Sequence, residues 1–269
     1  MPVFELNLDG RPSRVTVDAA ELEMVHLPLL RQWERRWQER RGRLIVLLGG
    51  PSGSGKTVLS VLWEQLARDG RIAPAVQSLP MDGFHYPNAV LDSQHVTIDG
   101  LQTSLRRIKG RPETFDLPSL CESLRTLRAG GRVLWPSYDR KIHDPVPGAI
   151  PVIAEGILVI EGLYLLLDLP GWNELRAAAD WGVFLECPEE VLRADVIERK
   201  HRQGRGYEDA VAHFDLVDHY ACQLTTQHRH GIDTVIRVRP GRRCEVVSWF
   251  VTPNSPTAAP FHRSPPRAR

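Results

Sequence analysis

Gly50-Pro51-Ser52-Gly53-Ser54-Gly55-Lys56-Thr57 follows the apolar run Leu44-Ile45-Val46-Leu47-Leu48 and precedes an amphipathic stretch over residues 58–68. The pattern G-x-x-x-x-G-K-T between a buried strand and a helix is that of a phosphate-binding loop. Phosphate oxygens must come within hydrogen-bond reach of successive backbone N–H groups. A Cβ at Gly50, Gly53 or Gly55 would obstruct that approach or forbid the φ it needs. The helix opening at Lys56 adds the positive end of its dipole, the Lys56 ammonium can reach β- and γ-phosphates, and the Thr57 hydroxyl is a hard ligand suited to Mg²⁺. Gly50, Ser52, Gly53, Ser54, Gly55, Lys56 and Thr57 are therefore expected to hold a nucleoside triphosphate, ATP, with Mg²⁺.

Such a loop needs a carboxylate across the site. Asp82 and Glu161 each end an apolar run and precede a glycine. Glu161 is expected at the metal and Asp82 at an acceptor hydroxyl or beside the same metal; Glu155 also precedes a glycine but follows a shorter run. Phosphoryl transfer spreads charge over the γ-oxygens, so positioned cations should supply more rate than proton abstraction does. Arg199, Lys200, Arg202 and Arg205 end a helix next to Gly204 and Gly206, as a hinged lid requires. Arg199 and Arg205 are the alternatives for the catalytic cation beside Lys56. A competing reading, a nucleotide-binding module or switch without a small-molecule acceptor, draws on Asp168-Leu169-Pro170-Gly171, which fits the D-x-x-G of GTPases. No Asn-Lys-x-Asp accompanies it.

The elements that must position these groups alternate between strand and helix. Strands are expected over residues 44–48, 75–81, 132–135, 157–160, 181–186 and 234–238, with helices over 58–68, 117–128, 189–202 and 208–226 and a polar, loop-rich stretch over 88–117. That pattern predicts an α/β fold, a doubly wound, mostly parallel sheet with helices on both faces. Pro80 is awkward inside a buried parallel strand. Ahead of the sheet, Phe4-Glu5-Leu6-Asn7-Leu8 and Arg14-Val15-Thr16-Val17 alternate around Asp9-Gly10-Arg11-Pro12 as a hairpin does, and Pro28 is expected to open a helix carrying Leu29, Trp33 and Trp37 on one face. The expected organisation is an extension over residues 1–43, a phosphate-loop domain over 44–251 and a disordered proline- and arginine-rich tail over 252–269.

Of 269 residues, 42% are hydrophobic and 25% charged, enough to bury a core, and the formal net charge of +1 gives no global attraction to nucleic acid or to an anionic membrane. Four dispersed cysteines without metal-ligand spacing read as reduced thiols. No long uninterrupted apolar run and no signal-like amino terminus is present, so a soluble cytoplasmic protein is expected.

Residues 50–57, Asp82-Gly83-Phe84-His85, Lys109-Gly110-Arg111-Pro112-Glu113-Thr114-Phe115-Asp116, Pro136-Ser137-Tyr138-Asp139 with His143-Asp144-Pro145, and Glu161-Gly162 together resemble the P-loop kinases grouped as phosphoribulokinase, uridine kinase and bacterial type I pantothenate kinase. The resemblance implies a P-loop NTPase fold and an ATP-dependent kinase acting on a hydroxyl of a nucleoside, sugar or pantothenate-like metabolite. It implies that Asp82 is the general base or a metal-side carboxylate, and that His85, Asp116, Tyr138 and His143 contact the substrate; a homodimer is compatible with it. Met81-Asp82-Gly83-Phe84-His85 with Pro87-Asn88 is closest to pantothenate kinases and to bacterial nucleoside or sugar kinase-like proteins. Relatives there commonly read Glu-Gly-Asn-Tyr where this chain has Glu161-Gly162-Leu163-Tyr164, and Asp-x-x-Asn where it has Asp218-His219-Tyr220-Ala221.

Overall fold

In chain order the strands are β1 (Val3–Leu8), β2 (Arg11–Thr16), β3 (Arg43–Gly49), β4 (Val76–Pro80), β5 (His95–Ile98), β6 (Leu101–Ser104), β7 (Leu134–Asp139), β8 (Asp144–Pro151), β9 (Gly156–Gly162), β10 (Trp181–Glu186), β11 (Thr234–Val238) and β12 (Cys244–Trp249). The helices are α1 (Ala19–Glu21), α2 (Leu27–Arg40), α3 (Lys56–Arg68), α4 (Asn88–Ser93), α5 (Leu117–Arg128), α6 (Glu189–Arg202), α7 (Tyr207–His213) and α8 (His219–Gln227). The computed structural model describes residues 1–249 except 9, 41, 99 and 203; the expected disordered tail over 252–269 lies outside the described residues.

The main sheet has the order β12-β11-β10-β3-β9-β4, parallel throughout except for β12 at one edge. A parallel sheet must be covered on both faces, and the alternation along β3 shows how. Leu44, Val46 and Leu48 join Leu59, Leu62, Trp63 and Leu66 of α3 on one face. Ile45 and Leu47 join Leu120 and Leu124 of α5, with Trp135, on the other.

The amino-terminal residues share the first of these cores. Leu6 and Val17 of the hairpin segment, and Leu29, Leu30 and Trp33 of α2, pack into the same cluster as β3 and α3. Asp18 caps α1 by accepting from the Ala20 N–H at 2.8 Å. Pro28 does not open a separate helix. Leu22–His26 forms a π turn that joins α1 to α2, with the Leu27 N–H reaching the Leu22 carbonyl, so the chain runs through the proline with little loss of hydrogen bonding.

Three further expectations are refined. Pro80 is tolerated because β4 is the sheet's other edge and Pro80 its last residue; the Pro80 carbonyl accepts from the Trp135 indole at 2.8 Å. The loop-rich stretch over 88–117 also holds regular structure, α4 and the β5–β6 hairpin. The strand expected over 132–135 does not enter the main sheet. It is the start of β7, which pairs antiparallel with β8, and both end near the cleft because Gly83 lets the turn after β4 press against Pro136.

Trp33 is fully buried and meets Trp63 edge-on at 5.1 Å, but its indole N–H has no partner among the described residues. Trp33→Ala should lower the free energy of unfolding in urea by about 3–5 kcal/mol. Trp33→Phe should cost less than half of that, because it also removes an unsatisfied donor.

Candidate active site

The site begins with the order of three strands. Leu48 of β3 and Pro80 of β4 both lie level with Glu161 of β9, so the carboxyl ends of these strands form one row. Beyond β3 the chain turns through Gly50, Gly53 and Gly55, whose φ values of 151°, 78° and 99° are open to glycine and disfavoured for residues with a Cβ. No atom would meet a Cβ at Gly55, so there the requirement is conformational and the space above the loop is open.

Lys56 is 8% exposed and folds back so that its ammonium donates to the carbonyls of Gly50 at 2.9 Å and Pro51 at 2.8 Å. The Thr57 hydroxyl donates to Glu161 Oε1 at 2.9 Å. Ser54 Oγ is buried with no partner among the described residues. Asp82 lies in the 3-10 turn Met81–Phe84 directly after β4, and its Oδ2 accepts from Arg140 at 3.4 Å. From the lid side, Arg199 of α6 donates to Ser52 Oγ at 3.3 Å.

Electrostatics push these groups apart. Burial pulls Lys56 down to about 8 against the opposing attraction of Glu161 and Asp82. Burial also drives Glu161 up to about 7, with Lys56 and the Thr57 hydroxyl only partly restraining it. Burial works on Asp82 in the same direction, but the charges of Arg140, His85, Lys56 and Arg199 outweigh it and hold this carboxyl below its usual range. Asp82 is thus the ionised carboxylate of the cleft, while Glu161 keeps a proton near neutrality until a cation takes its place. The residues fit a magnesium nucleotide: an orphaned hydroxyl and a folded-back ammonium suit a phosphate, and Thr57, Glu161 and Asp82 offer oxygen donors. One hydroxyl and two carboxylates are too few for Mg²⁺ alone and leave positions for phosphate oxygens and water.

Next to Asp82 lies an aromatic and cationic cluster. His85 Nδ1 hydrogen-bonds the Asp82 carbonyl at 2.8 Å, and its ring lies 3.9 Å from Phe115 and 5.3 Å from Tyr138. The Lys109 ammonium sits 5.1 Å over the Tyr138 ring and donates to Asn88 Oδ1 at 2.7 Å and the His143 carbonyl at 2.8 Å. His143 turns the tip of the β7–β8 hairpin with a φ of 54°. Burial, then the positive charge of Lys109, Arg106, Arg205 and Arg140, holds its imidazole below the usual range. Arg205 therefore belongs to the His143 side and Arg199 to the phosphate loop.

Asp116 behaves differently from the other expected substrate contacts. Its carboxylate caps α5, accepting from the Ser119 N–H at 3.1 Å and the Ser119 hydroxyl at 2.7 Å. Asp218 is likewise held internally by Lys200 and His213, which outweigh its burial and keep it at about 2. Leu163 lines the cleft beside Glu161. Sequence reasoning passed over Arg140 and Lys109 as site residues. Both lay in segments already singled out, and the signal was available in the basic residues flanking Tyr138 and preceding Gly110.

An unfolded glutamate titrates near 4.3, so a folded value of about 7 means that the protonated fold is favoured. That stabilisation is complete below about 4.3 and is lost as pH rises through about 7. Melts of the ligand-free chain should lose up to about 3 kcal/mol over this window relative to Glu161→Gln, which lacks the step.

The family model for the Phosphoribulokinase / Uridine kinase family matches residues 45–242. Uncharacterized protein YggC of Escherichia coli K12 is 38% identical over 216 residues, covering 80% of this chain and 86% of that protein. Pantothenate kinase of Rhodopseudomonas palustris BisA53 is 30% identical over 207 residues, 68% of this chain; the match spans 62% of that enzyme's length. Among solved structures, a Silicibacter sp. TM1040 protein described as a "putative fructose transport system kinase" superposes with a TM-score of 0.69 at 32% identity, covering 79% of this chain and 98% of that one. No helix among the described residues is long and apolar enough to cross a membrane. Strand order, phosphate loop and these matches lead to one conclusion: the chain belongs to the phosphoribulokinase/uridine kinase family of P-loop kinases.

Proposed function

We propose that this chain transfers the γ-phosphate of ATP to a hydroxyl of a small metabolite, with Asp82 as general base. The observation that carries the reading is a single row of Lys56, Thr57–Glu161 and Asp82, with Asp82 kept ionised by Arg140 and followed by the His85, Tyr138 and Lys109 cluster. The acceptor hydroxyl gives its proton to the Asp82 carboxylate as its oxygen bonds to the γ-phosphorus. The bridging oxygen takes the electron pair of the breaking bond and leaves as ADP. Lys56 and Arg199 stand where charge gathers on the transferred group, which is the larger share of catalysis for a loose transition state. Bound Mg²⁺ would neutralise phosphate charge, and Thr57 and Glu161, with Asp82 beside them, would hold it.

Of the nucleoside, sugar and pantothenate-like acceptors, the positive charge gathered near His143 best suits one that carries a carboxylate or a phosphate. Arg106, Lys109, Arg140 and Arg205 all act on His143, and an Arg106 nitrogen is buried without a hydrogen-bond partner among the described residues. In this reading His143 and Tyr138 line the acceptor and Asp116 only shapes the loop beside it. Residues 44–251 are the kinase domain, the cytoplasm is the expected location, and a homodimer remains compatible with the reading. The switch reading draws no support from the cleft: Asp168 lies in the turn after β9, its N–H held by the His228 carbonyl at 2.9 Å.

Asp82→Asn should lower acceptor-dependent ADP formation by about 10²- to 10⁴-fold while ATP binding, measured by calorimetry, changes little. A variant that turns over normally would remove Asp82 from the reaction. Against a panel of hydroxy acids, sugar phosphates, pantothenate, neutral nucleosides and neutral sugars including fructose, anionic acceptors should be preferred. Lys109→Met should raise their KM by about tenfold with a smaller change in kcat. Preference for a neutral sugar or nucleoside would reverse the charge argument.

A further inference from the structure

The cavity containing the phosphate loop has a volume of about 640 Å³ and extends well past the groups that would hold phosphates. Part of its wall is Leu8, Arg11, Arg14, Val15 and Thr16 of the amino-terminal hairpin. The family match begins at residue 45, so this wall lies outside the shared kinase core.

The hairpin is fixed to the phosphate loop's own helix. Leu6 and Val17 are buried in one cluster with Leu59, Leu62 and Trp63 of α3, and Val15 and Leu8 pack against that cluster. Arg242, in the β11–β12 turn, also lines the cavity and donates to the Gly53 carbonyl at 2.6 Å, and the neighbouring Arg243 lies 3.5 Å from Asp18. The phosphate loop, the hairpin and this turn therefore form one connected frame around the cavity.

Its lining is of two kinds: Lys56, Glu161 and Asp82 are charged or titratable, whereas Leu8, Val15, Val58 and Val238 offer a flat heteroaromatic ring apolar contact. The Val17 N–H bonds the Pro2 carbonyl at 3.0 Å. By the alternation of an antiparallel ladder, the main-chain groups of Thr16 and Arg14 then point away from β1, leaving a donor and an acceptor on the free edge of β2.

We propose that the amino-terminal hairpin is the base-side wall of the nucleotide site: Val15 packs on the nucleobase of the triphosphate donor, and the free β2 edge at Thr16 and Arg14 reads its polar rim or ribose. The proposal rests on the nucleotide reading of the phosphate loop and adds the element that selects the base.

The test is calorimetric titration of the full chain with ATP, GTP and inorganic tripolyphosphate, for the wild type, Thr16→Trp, Arg14→Ala and Lys56→Ala. Thr16 is exposed, and Arg14 makes a largely exposed pair with Glu5 at 3.0 Å, so both hairpin variants should fold, as a melting curve will verify. The proposal expects Thr16→Trp to weaken ATP by about tenfold or more and Arg14→Ala, which keeps the main-chain groups of the β2 edge, to bind ATP as the wild type does, with tripolyphosphate binding unchanged in both. If ATP binds both hairpin variants as it binds the wild type, while Lys56→Ala loses ATP and tripolyphosphate alike, the nucleotide reading stands and the hairpin proposal fails. If the wild type binds neither ATP nor tripolyphosphate, the nucleotide reading fails and takes the proposal with it.

Discussion

Keeping Lys56 charged while it is buried is the constraint on which this structure depends. An ammonium with 8% exposure is costly unless donors and opposing charges surround it, and burial already brings it down to about 8. Two backbone carbonyls satisfy its hydrogens, which requires the glycine turns of the loop. Asp82 supplies opposing charge, joined by Glu161 as it ionises, which requires β9 and β4 to end level with β3. Those strands end together only if the sheet is parallel and covered on both faces, so the layered fold and the buried cation are parts of one solution.

The same crowding separates two chemically similar side chains. Glu161, enclosed between β3 and β4 and hydrogen-bonded by Thr57, retains a proton near neutrality; Asp82, a third exposed and facing Arg140, does not. In the proposed reaction the first would exchange its proton for a metal ion and the second would accept one from a hydroxyl. Position along two adjacent strands is enough to divide the tasks.

Much of this was legible in the sequence because its signals are local. The phosphate loop is contiguous, its flanking strand is a continuous apolar run, and Asp82 and Glu161 each stand between an apolar strand and a glycine. Contacts set by tertiary packing were not legible. Nothing in Arg132-Val133-Leu134-Trp135 says that it will leave the main sheet for a hairpin with β8, since that choice is made by Trp135 covering the edge at Pro80. The hairpin's place at the cavity depends on Leu6 and Val17 meeting α3 more than 40 residues away, a pairing that no short pattern encodes.

A Cβ on Gly83 would lie 2.2 Å from the Pro136 carbonyl. The turn carrying Asp82 and the base of the β7–β8 hairpin are thereby a single steric unit. Such a unit divides the hairpin into a part that cannot vary without moving the base and a part that can. The root at Pro136 is tied to the chemistry, whereas the tip over residues 140–143, which carries the partly exposed Arg140 and exposed His143, can change with little effect on Asp82's backbone. Divergence of acceptor preference among chains built this way should therefore concentrate in the tip, while the root and Gly83 record the shared reaction.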